Sequence, residues 1–380
     1  MKIGILGAGR LGICFALLLD HAGYEVVASD IRSDYVSNLR QGVIETQEPY
    51  VKEMLQDATS PRQFRPSIKF ETNNIDVIMQ CDLLFTFVAT PSLPDGSYDV
   101  SCIRQIIKDI KKCKSLAFGK SLVVGCTTNP GDCQDFQNHL TPYGVSVYYN
   151  PEFIAQGSIV NDLRNADMVL IGGEGNHLDP IKKIYNDIQD IEPSIHTMST
   201  KAAELVKLAV NCFLTTKISY ANMIGQVMEK SGMEDEIDNV LNAIGSDSRV
   251  GKKYLGYGFG FGGPCLPRDN RAFAATAKKL GLKYNLGEVI DQFNNEHHQY
   301  LLEWCVSHNY NSLPFVFDSI AYKAGTDILT ESQSYRLCLE LLDMGYVVYV
   351  IDDTVKDQCD GRINWGEPDP AWGAVFSVRL

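Results

Sequence analysis

The beginning of the chain constrains its fold most. Lys2 to Leu6 reads as a buried strand that runs directly into Gly7, Gly9 and Gly12, the spacing GxGxxG, and an apolar helical run from Ile13 to Leu19 follows. Beyond Gly23 a second strand, Glu25 to Ser29, ends in Asp30. Strand, glycine turn, helix, strand and acid in this order make a dinucleotide-binding βαβ unit. The glycines permit a tight turn and close approach to a pyrophosphate, and the acid accepts hydrogen bonds from the adenosine ribose. An acid there repels a 2′-phosphate, so the expected cofactor is NAD rather than NADP. Arg32, two residues on, is read as stacking on adenine or solvated.

Strand-like and helix-like runs keep alternating to about residue 196, with strands read at Leu83 to Val88, Ser121 to Cys126, Val145 to Tyr149 and Met168 to Ile171. Alternation of this kind predicts an α/β fold with a parallel, doubly wound, Rossmann-like sheet. Thr200 then opens a long helix whose apolar residues Leu205, Leu208, Ala209, Cys212 and Phe213 repeat at helical spacing. Glu204, Lys207 and Asn211 share another face, either a solvated polar stripe or a set aimed at one point. More helix is expected to about Cys305, and Phe315 to Ile320, Tyr335 to Met344 and Val347 to Ile351 suggest a second, smaller α/β unit. At 380 residues the chain is long for a single core. The expected division is 1–196 for the dinucleotide-binding domain, 197–306 for a central helical, dimer-forming domain, and 307–380 for a short C-terminal α/β domain.

A formal charge of −13 without a basic run argues against nucleic acid and anionic membranes as partners. No apolar run approaches a membrane span, and strand 1 begins at residue 2, so a cytoplasmic protein is expected. The 11 cysteines include no CxxC pair and the seven histidines show no metal spacing, which predicts reduced thiols and no structural metal. One cysteine stands apart. Cys265 lies in GFGGPCLPRD, residues 260–269, where glycines lead into a thiol and Asp269 precedes an expected helix. The positive end of such a helix favours a thiolate, so Cys265 is a candidate nucleophile; the alternative is an inert cysteine in a glycine turn.

Taken together, GAGRLG at 7–12, NPEFIAQG at 150–157, ELVKLAVN at 204–211, GFGGPCLPRD and AYKAGTD at 321–327 resemble the nucleotide-sugar 6-dehydrogenases. The resemblance extends to about residue 353. It implies an NAD-binding domain, a long helix that makes a homodimer, and a C-terminal domain that holds the nucleotide of a nucleotide-sugar substrate. It implies that Cys265 attacks an aldehyde and passes through a thiohemiacetal and a thioester. Lys207 and Asn211 would stabilise the negative oxygen, Asp269 would position a water or take its proton, and Glu152 would be the acid or base of thioester hydrolysis, with Thr128 holding the water. For Glu152 the residues alone favour a plain helix N-terminal acid. The cofactor set implied is Gly7, Gly9, Arg10, Leu11, Gly12, Asp30, Arg32, Thr90, Thr128 and Gln156. The substrate set adds Phe153, Arg249, Tyr254, Leu255, Tyr257, Gly260, Gly262 and Lys323 to Glu152, Lys207 and Asn211; Arg249 would cross to a partner's sugar, and either it or Lys323 could instead be a surface base.

Three features depart from the family pattern. Gln156 stands where a Glu is usual, and an amide cannot act as a base. The usual Asp-Leu-Arg-Glu-Ser reads Ile328 to Ser332 with Thr330 in place of the arginine. Beyond Asp353 only residues 354–380 remain, with Trp365, Pro368, Pro370 and Trp372 among them, too few for all the usual later strands; Arg362, in Asp-Gly-Arg, is read as a chance match. Oxidation of UDP-glucose to its uronic acid is the expected activity, with GDP-mannose or a UDP-N-acetylhexosamine as other sugars. A two-electron 3-hydroxyacid-type dehydrogenase, needing no thiol, and a non-catalytic dinucleotide-binding protein are the alternatives.

Overall fold

The computed structural model describes residues 1–61, 68–175, 178–369 and 374–378, so Pro370 and Trp372 lie outside the described residues. The chain forms two compact units, Met1–Lys207 and Leu208–Leu380.

In the first unit the order is β1 (Lys2–Leu6), α1 (Arg10–His21), β2 (Glu25–Ser29), α2 (Ser33–Arg40), α3 (Val51–Thr59), β3 (Lys69–Glu71), α4 (Asn74–Gln80), β4 (Leu83–Thr86) and α5 (Ser101–Lys112). It continues with β5 (Ser121–Val124), α6 (Asp132–Leu140), β6 (Ser146–Tyr149), α7 (Ile159–Arg164), β7 (Val169–Gly172), α8 (Leu178–Ile188) and β8 (Ile195–Met198). The strands form one sheet in the order β3-β2-β1-β4-β5-β6-β7-β8. Successive residues of one strand serve opposite cores: Ile3 and Ile5 pack with α1 residues such as Phe15 and Leu19, while Leu6 packs with Leu84, Leu122 and Ile103. Burial on both faces is why these strands read as unbroken apolar runs. The expected parallel sheet needs one correction, because β6 meets β7 antiparallel at Tyr149 and Gly172, and β7 and β8 run together against the rest. Strand direction leaves no mark on a doubly buried apolar run.

Helix α9 (Thr200–Lys230) opens at the expected residue and passes through Gly225 without a break. The expected apolar face is split: Leu208 and Cys212 are buried, while Leu205 and Phe213 are exposed. The face the structure buries instead is polar, carrying Glu204, Lys207, Asn211, Thr215, Ser219 and Asn222. A solvated stripe is thus excluded for the 204/207/211 set.

The second unit continues with α10 (Ile237–Ser246), α11 (Leu266–Lys279), α12 (Leu286–His308), β9 (Phe315–Phe317), α13 (Gln333–Asp343), β10 (Val348–Val350), β11 (Asn364–Trp365) and β12 (Phe376–Val378). Its four strands make a parallel sheet, β11-β10-β9-β12, over a core that includes Leu337, Leu341 and Cys305. Two of those strands come from residues beyond Asp353. Arg362 is bound to Asp360 and to Asp343 at 2.8 Å, a local tie that accounts for it. Among the described residues no helix is long and apolar enough to cross a membrane.

Candidate active site

The glycine turn after β1 has the form its spacing predicts. Gly7 takes φ +98°, a conformation that suits glycine, and a Cβ on Gly12 would lie 2.0 Å from the Gly7 carbonyl oxygen. Gly9 is the N-cap of α1, and a Cβ there would meet nothing within 4 Å. Space therefore lies open beside the N-cap of α1, and a helix N-terminus is the usual seat of a pyrophosphate. Leu11 is half-buried and Thr90 buried. Arg10 donates to Gln156 Oε1 at 3.2 Å. At the tip of β2, burial pushes the Asp30 carboxyl up, but the Arg32 guanidinium and the Arg32 amide overcome this and hold it below the usual range. Arg32 Nε lies 2.8 Å from Asp30, and its guanidinium lies 4.1 Å from the centre of the Tyr35 ring. An open glycine cradle and an ionised acid at the strand tip fit an adenine dinucleotide.

After β6, Glu152 and Phe153 meet the end of α9's first two turns. Lys207 Nζ donates to the Glu152 main-chain oxygen at 2.8 Å and sits 4.7 Å from the centre of the Phe153 ring. Burial pushes the Glu152 carboxyl up to about 7, against the lowering effect of Tyr185 and Lys207. The Tyr185 hydroxyl of α8 is hydrogen-bonded to that carboxyl and, at 2.6 Å, to Asn150 Oδ1. Thr128 donates to Glu204 Oε1 at 2.9 Å, and Glu204 also accepts from the amides of Gly131 and Cys133 at 2.6 and 2.8 Å. Burial raises the Glu204 carboxyl, with these donors opposing it. Glu48, buried, accepts from the amides of Gly157 and Ile159 at 2.7 and 3.1 Å and so anchors the segment that carries Gln156. Residue patterns had not marked Tyr185 or Glu48, and had given Glu204 no role beyond its place on the polar face.

In the second unit, α11 starts three residues before Asp269, so Cys265 is itself the N-cap, and it is exposed. Its carbonyl accepts from the Asp269 amide at 2.9 Å. Asp269, 2% exposed, accepts from Asn211 Nδ2 of α9. The preceding loop is clamped by groups far off in sequence. The Gly258 amide donates to Asn222 Oδ1 at 3.1 Å, and the Phe261 amide donates to Asn294 Oδ1 at 2.9 Å. His297 is fixed as a neutral tautomer: Gln226 Nε2 donates to its Nδ1 at 2.6 Å, so its Nε2 donates to the Gly258 oxygen at 2.7 Å. A Cβ on Gly260 would lie 2.2 Å from Asn294 Oδ1, and one on Gly262 would lie 2.4 Å from the Glu331 oxygen. Tyr257 turns inward against Gly225, and Leu255 is buried; Tyr254 is exposed at φ +62°. Glu331 also binds Arg271, which pairs in turn with Asp291. Arg249 is exposed and paired with Asp247, and Lys323 is exposed.

Comparison with known proteins identifies the family. Residues 1–189 match the NAD binding domain of the UDP-glucose/GDP-mannose dehydrogenase family, and residues 201–296 match its central domain. The chain belongs to this family. It is an NAD-dependent nucleotide-sugar 6-dehydrogenase by family, and NAD is its cofactor. It is 28% identical over 347 residues to the UDP-glucose 6-dehydrogenase YwqF of Bacillus subtilis, covering 88% of this chain and 75% of the relative. It is 26% identical over 368 residues to the GDP-mannose 6-dehydrogenase of Pseudomonas aeruginosa, covering 94% and 82%. The solved UDP-glucose dehydrogenase of Pyrobaculum islandicum superposes with a TM-score of 0.86 at 28% identity, over 98% of this chain and 87% of that one.

Proposed function

We propose that this dehydrogenase oxidises the primary alcohol of a nucleotide sugar, UDP-glucose foremost, to the carboxylate, removing four electrons and using Cys265 as nucleophile. The observation that carries this reading is an exposed cysteine at the head of a fourteen-residue helix, followed one turn later by a buried Asp269 paired with Asn211. The positive helix end favours the thiolate. Gly9, the first amides of α1 and Asp30 would hold NAD, with Arg10, Leu11, Gly12, Arg32, Thr90 and Gln156 around it. Bound NAD supplies the hydride acceptor, two molecules per sugar.

The residues then divide the work. The alcohol first loses a hydride, and its hydroxyl proton passes to solvent, to give the aldehyde. The Cys265 sulfur adds to the aldehyde carbon, and Asn211 and Lys207 donate to the oxygen that becomes negative, a contribution of about 3 to 4 kcal/mol per donor in comparable sites. Loss of a second hydride from this alkoxide leaves a thioester. Glu152, held near neutrality by burial, takes a proton from water as the water oxygen bonds to the thioester carbon, and the carbon–sulfur bond breaks to return the Cys265 thiolate. Thr128, steadied by Glu204, helps to hold that water, and Asp269 orients Asn211.

For substrate binding, Tyr254 and the open backbone at Gly256 are offered to the nucleotide, together with Phe153, Lys323 and Arg249. Leu255, Tyr257, Gly260 and Gly262 shape the loop from within. The functional division is 1–196 for NAD, 197–306 for the cysteine and dimer contacts, and 307–380 for the nucleotide. Leu205, Phe213, Tyr220 and Val227, exposed at seven- and eight-residue spacing along α9, supply an apolar seam for a homodimer.

The deciding assay is NADH formed per limiting UDP-glucose in excess NAD. Two per sugar is expected, and Cys265→Ser should bind NAD and sugar yet release no acid. One per sugar would indicate a two-electron dehydrogenase. No NADH from UDP-glucose, but two from GDP-mannose or a UDP-N-acetylhexosamine, would keep the chemistry and change the sugar.

A further inference from the structure

We propose that Tyr185 is the positioning residue of Glu152: its phenol, held between that carboxyl and Asn150, keeps the carboxyl in one orientation and sets the pH range in which it works as a base. The proposal rests on Glu152 being the base of thioester hydrolysis.

The arrangement is fixed by hydrogen-bond counting. Asn150 is buried, and its Nδ2 donates to the Leu170 oxygen at 2.9 Å, so its Oδ1 must be the atom facing Tyr185 at 2.6 Å. Tyr185 is buried too, its ring 6.1 Å from that of Phe15, which leaves the phenol little freedom to swing away. A phenol has one hydrogen, and here it has two oxygen neighbours, Asn150 Oδ1 and Glu152 Oε1. When Glu152 is ionised, the phenol hydrogen turns to the carboxylate and the amide oxygen is left without it. When Glu152 is protonated, the carboxyl donates to the phenol oxygen and the phenol donates to Asn150. Both contacts are then satisfied. The carboxyl stays in place in both states, and the transfer of one proton switches the phenol between two acceptors.

The groups that bear on Glu152 come from two helices, Tyr185 from α8 and Lys207 from α9. Lys207 directs a donor to the main-chain oxygen of Glu152, so it acts on the carboxyl through space, whereas Tyr185 touches it. Tyr185 and Asn150 thus pull in opposite directions. The phenol favours the ionised base, and the amide oxygen, by competing for the phenol hydrogen, favours the protonated one. Removing the phenol should raise the pH at which the base becomes available, and removing the amide should lower it.

The test is single-turnover oxidation by the full-length protein with NAD and whichever nucleotide sugar it turns over, sampled from pH 5.5 to 9. NADH reports the hydride steps, and quenched intact-protein mass reports the sugar held on Cys265. Native protein should release acid along a limb governed by a group near 7. In Tyr185→Phe the limb should move up by about one unit, so that release below it slows about tenfold and the adduct accumulates, while the first hydride step changes less than about twofold. In Asn150→Ala the limb should move down. A structural disturbance would move both variants the same way or slow every step at all pH values, and either result overturns the proposal. An unmoved limb in Tyr185→Phe also overturns it while leaving the Glu152 reading intact. A native enzyme with no such limb removes Glu152 as base, and the proposal with it. Thermal melting and NAD titration establish that the variants are folded.

Discussion

At the head of α1, a Cβ added to Gly9 would meet nothing within 4 Å, whereas in the loop before Cys265 the same atom on Gly260 or Gly262 would come within 2.2 Å of Asn294 or 2.4 Å of Glu331. The first segment keeps a space open at a helix end; the second is drawn tight against its own unit. Glycine therefore does two jobs in one chain. In the dinucleotide turn the flanking glycines serve the backbone, Gly12 through its contact with the Gly7 oxygen, and the middle one leaves room. In the loop at 256–263 most glycines serve packing. Its Gly258 and Phe261 amides, which could have met a phosphate, are already bound by Asn222 and Asn294. Support from those residues and from neutral His297 gives Cys265 a rigid mount, even though the cysteine itself is exposed.

The contrast breaks most visibly at Gly262. Its opposing atom is the main-chain oxygen of Glu331, which cannot rotate away, so Gly262→Ala should cost about 2 to 3 kcal/mol and weaken every step alike. Chemical denaturation of the two proteins checks it; equal midpoints would mean that the loop is not held as tightly as its geometry implies. Gly9→Ala should do the reverse. Its φ of −66° suits alanine and its surroundings are empty, so stability should hold within about 0.5 kcal/mol. NAD affinity should fall about tenfold or more as the methyl group takes the room of the pyrophosphate. Fluorescence titration with NAD, with melting on the same samples, separates the two effects.

The same contrast explains what could be read before the fold was known. The dinucleotide turn was legible because its parts lie within thirty residues and each has one residue type that does its job: glycine at a positive φ, an acid at a strand tip. The long helix from Thr200 was legible from its period and from the absence of proline, but not the direction in which its polar residues face. Glu204, Lys207 and Asn211 are buried, and the partners that satisfy them, Thr128, the Glu152 carbonyl and Asp269, lie more than fifty residues away. No local pattern encodes such pairs. Tyr185 is the extreme case, an apparent core aromatic in an amphipathic helix whose hydroxyl carries the role. The reversal of β7 and β8 escaped for a related reason, since an apolar run buried on both faces looks the same in either direction.

Gly256 offers the finest cut. It lies in the clamped loop, yet like Gly9 a Cβ on it would meet nothing within 4 Å, and its φ lies outside the range that favours glycine. If the whole loop were mere packing, Gly256→Ala would be silent in catalysis. It would then stabilise the protein by about 0.4 to 1 kcal/mol through the loss of unfolded-chain freedom. If instead the loop gives this one stretch of backbone to the nucleotide, between exposed Tyr254 and inward-turned Tyr257, the small gain in stability should come with a KM for the nucleotide sugar raised about three- to tenfold, while kcat and NAD affinity stay unchanged. Steady-state kinetics at saturating NAD, read beside the melting curve, distinguishes the two. A raised KM would mean that the loop, like the dinucleotide turn, keeps one glycine for its ligand and uses the others to hold that glycine still.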